Sequence, residues 1–197
     1  MTTPKEGRAG AGSASESRGP APAVRWWVLV GLAGVATLLA HLPALDGPRV
    51  WDDHLLLGQN RFIAGELPWS ELLAQPFVPF DTYYRPATAA LLRLLRSAGG
   101  GEVLPFHLVA LLLHLGTAAL AGALARWAGA GRGAALFAAA AFGLHPALVE
   151  AVAWISGLGD VLAAFALAAG TLLYLRAVRP GAGEDRTWPA GPVSPDR

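Results

Sequence analysis

Two adjacent carboxylates, Asp52-Asp53, follow Val50-Trp51 and precede His54, shortly after the apolar run Trp26 to Leu45. Acids so close to an apolar run are either solvated at its end or serve a site there. The pair could supply a general base, a metal ligand, or both, and adjacent carboxylates resist simultaneous ionisation where water is scarce. The competing reading is that Asp53 caps a short helix starting at His54-Leu55 while Asp52 is solvated. Tyr84-Arg85-Pro86 sets one arginine between aromatics and a proline. A guanidinium fork suits a phosphate, because it donates two hydrogen bonds at once; a cation anchored at lipid headgroups is the alternative. A third cluster, His145-Pro146 through Glu150 to Asp160, lies beyond a later apolar run. Glu150 stands among Ala, Val and Trp154, an awkward place for a charge without water or a partner. His145 and Glu150 lack the i, i+4 spacing of a helical zinc pair, and Asp160 can be read as an N-cap. His107 and His114 share one helix face, where packing is the preferred reading.

The elements that must position these groups are membrane spans. Of the 197 residues 54% are hydrophobic and only 15% charged, against about 25% charged in soluble domains. The deficit is concentrated in long uncharged runs, so the fold class is all-α integral membrane. Four spans are expected, over 25–45, 104–127, 134–155 and 160–177, with His145-Pro146 breaking the third. The first run is too long for the apolar part of a signal peptide and reads as an uncleaved span anchored by Trp26-Trp27. Between spans one and two lies a long loop, 46–103. Within it Ala87 to Ser97 reads as an amphipathic surface helix, with Leu91, Leu92, Leu94 and Leu95 on one face, Arg93 and Arg96 opposite, and Gly99-Gly100-Gly101 ending it. Residues 1–24 and 179–197 read as disordered.

Charge then assigns sides. With the N-terminus in the cytoplasm, Lys5, Arg8, Arg18, Arg25, Arg126, Arg132, Arg176, Arg179, Arg186 and Arg197 fall inside, against Arg49, Arg61, Arg85, Arg93 and Arg96 outside. Ten against five fits the positive-inside rule. This topology puts Asp52, Asp53, His54, Tyr84, Arg85, His145, Glu150 and Asp160 on one outer face. The Ala, Gly, Leu and Arg bias suits a GC-rich bacterial genome, so the membrane is expected to be the plasma (inner) membrane.

Other classes find no support. A net charge of +1 and the lack of a basic stripe give no case for nucleic acid. With no cysteine there are no disulfides and no Cys-based zinc site. Phosphate-loop, dinucleotide, serine-hydrolase and H-E-x-x-H motifs do not occur. A small transporter would need polar residues along a path through the bilayer, and only His114 qualifies.

Val50-Trp51-Asp52-Asp53, then Asn60 and Phe62-Ile63, Tyr84-Arg85-Pro86, Pro105-Phe106-His107-Leu108-Val109 with Leu111-Leu112-Leu113-His114, and Leu144-His145-Pro146 with Glu150 to Gly157 and Asp160 form an ordered set. Over about residues 25–178 this order resembles the N-terminal membrane half of GT-C-fold glycosyltransferases, nearest the transmembrane-and-tetratricopeptide-repeat protein O-mannosyltransferases and their bacterial relatives. The resemblance implies a polyprenyl-phosphate-linked sugar donor within the membrane lipids and a protein or glycan acceptor on the outer face. It implies that one of Asp52 and Asp53 acts as base toward the acceptor hydroxyl or orients it. Arg85, with Tyr84, would meet the donor phosphate, and His54, His145, Glu150 and Asp160 would line the outer cavity. A divalent metal is left open. Where the family often reads Gly-Arg-x-Asp, this chain has Gly157-Leu158-Gly159-Asp160. Family members carry about twice this number of spans or more, so a truncated or split N-terminal half is expected. The alternative is a non-catalytic multi-pass scaffold or lipid-binding module, its acids serving as caps.

Overall fold

The computed structural model describes residues 23–74 and 84–178. The segments expected to be disordered, 1–24 and 179–197, lie outside these residues apart from Ala23 and Val24, as do Phe77, Phe80, Asp81 and Tyr83 of the loop. The described residues form helices and turns, with no strand. The helices are α1 (Ala23–His41), α2 (Asp52–Gly58), α3 (Pro86–Gly99), α4 (Leu104–Trp127), α5 (Arg132–Gly143), α6 (Val149–Ala153) and α7 (Leu158–Ala177). Short 3-10 turns occupy Leu42–Asp46, Trp69–Leu73, Pro146–Leu148 and Ile155–Gly157.

Three stretches, Trp26–Asp46, Leu104–Trp127 and Ile155–Ala177, are long and apolar enough to cross a membrane. At about 1.5 Å per residue, the 24 residues of α4 reach beyond a hydrocarbon core about 30 Å thick. The pair Arg132–Gly143 and Pro146–Ala153, bent by 45°, passes the same test only when its two helices are taken together, as a broken span or a re-entrant loop. The bend falls where the sequence placed it. His145 is extended at ψ 123°, as a residue before proline prefers, and the α5 hydrogen-bond ladder stops there. Large side chains on α1 such as Val28, Leu32 and Leu39 face outward, as a lipid-facing helix requires.

α4 is the hub, with α5 and α7 as its main neighbours and α1 seated on α5. Small residues permit the close approaches. A Cβ on Gly116 would lie 2.7 Å from the Phe165 ring of α7, one on Gly122 would lie 3.0 Å from the Ala135 carbonyl of α5, and one on Gly143 would lie 2.5 Å from Thr37 Oγ1 of α1. Gly116 is thus the contact position of α4 toward α7, and Gly122 the contact position toward α5. His107 and His114 are both buried. His107 Nδ1 lies 3.4 Å from the Val152 carbonyl, and His114 Nε2 lies 3.0 Å from that of Gly143. The His114 ring also packs against His41 and Phe142.

The main buried core is not halfway along the spans. It lies where the described parts of the loop, 46–74 and 84–103, fold over the start of α4, α6 and the start of α7: Leu56, Leu57, Phe62, Ile63, Leu92, Phe106, Leu111, Val152, Ile155 and Leu158 are sealed together. The loop is therefore a packed cap. Arg49 closes it by donating to the Gly101 carbonyl at 2.6 Å, joining its two ends. Asn60 Oδ1 accepts from the Ile63 amide at 2.9 Å and turns the chain after α2.

α3 forms as its sequence indicates, with Pro86 in the first turn and Gly100 left-handed at φ 63° after the last. Its two late arginines do not behave as expected. Arg93 lies 4.6 Å over Phe62 and 4.4 Å over Trp69, and donates to the Leu67 carbonyl at 2.7 Å. Arg96 donates to the Leu57 carbonyl. Both guanidiniums are spent inside the cap rather than opposite it, while Leu94 is exposed and Leu92 buried. The reason is the set of loop carbonyls and aromatic faces that the cap brings beside α3, which helical periodicity does not encode.

Candidate functional site

The acid pair is divided by the fold. Asp53 is 0% exposed. Its Oδ1 accepts from the Ser156 amide at 2.8 Å and the Ser156 hydroxyl at 2.9 Å. Its Oδ2 accepts from the Val50 amide at 3.0 Å and, more distantly, the Ile155 amide at 3.4 Å. Four donors from segments about a hundred residues apart converge on one carboxylate, which satisfies the buried Ile155 and Ser156 amides of the turn that leads into α7. Asp53 does not cap α2 from its N-terminal side. It bonds back to Val50 and across to Ser156, while its own amide donates to the Val50 carbonyl at 2.9 Å. Asp53 thus accepts from four donors and has no solvent access.

Asp52 and His54 flank it on α2 and are both exposed. They stand on the rigid turn that Asp53 fixes. Trp51 precedes them in a left-handed conformation, φ 43° and ψ −108°. Its ring meets Trp154 edge-on, centroids 6.4 Å apart, so the α2 start and the α6–α7 junction touch a second time beside the Asp53–Ser156 bonds.

Arg85 is the residue before α3. Its Nη1 lies 3.6 Å from Asp160 Oδ1, with the two side chains 39% and 71% exposed. At this exposure the pair adds little stability, and its effect is to orient the guanidinium. A Cβ on Gly159 would lie 2.9 Å from Thr88 Oγ1 and 3.4 Å from Arg85 Nη1, so the first turn of α7 fits against the start of α3 only because that position is bare. Asp160 lies inside the first turn of α7, which begins at Leu158, and makes an ion pair rather than an N-cap. Tyr84 is exposed beside Arg85.

His145 is exposed and accepts from the Ala147 amide at 3.2 Å, capping its own turn. Glu150 is exposed on α6. Among the described residues no three His, Asp or Glu side chains group as metal ligands. The site therefore has two parts at one end of the bundle: Asp52 on the Asp53–Ser156 clamp, and Arg85 with Asp160 at the start of α7. Both meet on the stretch 155–160. Ser156 and Thr88 escaped sequence reasoning because a lone serine or threonine carries no spacing signal. The strain at Trp51 escaped it because tryptophan gives no hint of a left-handed backbone.

No family model matches the sequence, and no solved structure matches it at a significant level. Curated relatives do. The chain is 32% identical over 157 residues to the protein O-mannosyl-transferase Tmtc1 of Drosophila melanogaster, an alignment covering 75% of this chain and 18% of that protein. It is 33% identical to Tmtc2 of the same fly, over 75% of this chain and 17% of that one. It is 30% identical to mouse TMTC2, over 77% and 19%. The chain thus spans about a fifth of the length of the curated relatives it matches. Over three quarters of its sequence, this helical membrane chain is a relative of the TMTC protein O-mannosyl-transferases.

Proposed function

We propose that this chain carries the reacting end of a membrane glycosyltransferase with a GT-C-like membrane domain over 25–178, which moves a sugar from a polyprenyl-phosphate donor to a hydroxyl of a protein or glycan. The names of its relatives point to mannose as the sugar and a protein as acceptor. The charge distribution supports a cytoplasmic N-terminus, which puts the site on the outer face of the plasma (inner) membrane. The observation that carries the reading is the division of labour at one end of the bundle. A buried carboxylate, Asp53, fixes the turn that presents an exposed one, Asp52, while a half-exposed guanidinium, Arg85, is held at the start of α7 by Asp160.

The chemistry follows from those groups. The acceptor oxygen attacks the anomeric carbon, and the bond from that carbon to the phosphate oxygen breaks. The hydroxyl proton passes to Asp52, and the electron pair leaves with the polyprenyl phosphate, whose charge Arg85 stabilises. Tyr84 flanks the phosphate. His54, His145, Glu150 and Asp160 line the approach to this end. The test is transfer of labelled mannose from polyprenyl-phosphate mannose to a serine- and threonine-rich peptide, with the chain in proteoliposomes. Asp52→Asn should slow transfer by about 100-fold or more and leave the fold intact. Transfer at the wild-type rate in that variant would remove Asp52 from the mechanism.

One observation favours the second reading, a non-catalytic lipid-binding module. A groove of about 630 Å³ runs between α1, α4 and α5, with Val30, Leu115 and Leu136 in its walls together with Arg126 and Arg132. Lipid binding without any transfer by the intact chain would favour that reading.

A further inference from the structure

Trp51 is the one non-glycine residue with positive φ among the described residues. It is also 79% exposed, more than any other large apolar side chain described. The reciprocal bonds between Val50 and Asp53 close the chain around Trp51 from both sides, and Asp53 is in turn held by Ser156. Within this turn residue 51 has φ 43°, a backbone that a bulky L-residue adopts at a cost and a glycine adopts freely. A tryptophan that merely anchors at the membrane interface needs no such strain; Trp26 and Trp27 reach the opposite end of α1 on ordinary helical backbone. Strained backbone that neighbouring structure enforces is characteristic of ligand-contact positions.

We infer that Trp51 is a stacking platform for the sugar ring of the donor. This rests on the transferase reading above and deepens it. A pyranose has a face of C–H groups and a rim of hydroxyls, and an indole offers a flat apolar face of matching size. Trp154, edge-on at an interplanar angle of 85°, fixes the orientation of the Trp51 ring while leaving it largely uncovered. Asp52 is the next residue, so a sugar seated on Trp51 keeps its reacting carbon near the exposed carboxylate. Trp51 thus positions the sugar and takes no part in proton transfer.

The experiment compares binding of polyprenyl-phosphate mannose with that of the same polyprenyl phosphate without sugar, to the intact chain in nanodiscs. The wild type should bind the mannose form tighter by about fivefold, the contribution of one aromatic stack. Trp51→Gly should bind the two lipids equally while unfolding at a temperature no lower than the wild type, because glycine relieves the strain. Trp51→Phe should keep most of the preference. A glycine variant that still prefers the mannose form overturns the platform and leaves the transferase reading standing. A glycine variant that is less stable overturns the strain from which the inference starts. A wild type indifferent to the sugar overturns the platform and the donor assignment together.

Discussion

The division of the acid pair can be tested by asking what Asp53 contributes to stability. Three of its hydrogen bonds are 3.0 Å or shorter and the fourth, to Ile155, is 3.4 Å. Bonds to a charged group contribute about 1.5–3 kcal/mol each, and a buried donor left without a partner costs about 1–3 kcal/mol. Asp53→Asn keeps one oxygen. If that oxygen stays on Ser156, the new amide NH₂ meets the Val50 and Ile155 N–H groups, donor against donor. One good bond and one weak one are lost, for an expected cost of about 2–3 kcal/mol. Asp53→Ala strands all four donors and should cost about 4 kcal/mol, in the range seen when one partner of a buried charged contact is removed. Ser156→Ala loses only the hydroxyl bond to the carboxylate, about 1.5–3 kcal/mol. The alanine pair at 53 and 156 should show a coupling of about the same size, because Ser156→Ala then has no carboxylate to lose. Asp52→Asn, on an exposed side chain, should stay within about 0.5 kcal/mol of wild type. The assay is denaturant unfolding in detergent micelles followed by tryptophan fluorescence, to which Trp51 and Trp154 at the clamp contribute. An Asp53→Asn protein as stable as wild type would refute the clamp, and with it the assignment of structural and reacting roles within the pair.

Two further outcomes follow from packing. Arg93→Ala should loosen the cap by about 2 kcal/mol, since it removes stacking on Phe62 and Trp69 as well as the bond to the Leu67 carbonyl; limited proteolysis should then cut the 46–103 loop faster, and an unchanged cutting rate would contradict the packed cap. Gly143→Ala should destabilise by about 1–3 kcal/mol, because the new methyl would sit 2.5 Å from Thr37 Oγ1. Gly31→Ala meets nothing within 4 Å and should be neutral or slightly stabilising by thermal unfolding in nanodiscs; equal melting temperatures for the two variants would argue against the α1–α5 contact.

The sequence by itself determined the features that short-range physics governs. The apolar spans follow from run length against bilayer thickness, the bend at His145-Pro146 from the steric preference before proline, and the extent of α3 from Pro86 and the terminal glycines. It also carried the family relation that the curated relatives bear out. Only the tertiary structure decided what the charged residues do to one another. Neighbours in sequence, Asp52 and Asp53 differ because the latter faces Ser156, 103 positions away, and the former faces outward. Arg93 and Arg96 sit on the face that periodicity calls polar, yet loop carbonyls and rings come to meet them. Arg85 acquires Asp160 through the fit of α3 against a bare Gly159. Periodicity and turn chemistry act over a few residues and can be read along the chain. The satisfaction of a buried carboxylate or guanidinium depends on which distant backbone groups the fold carries to it, and no local pattern records that.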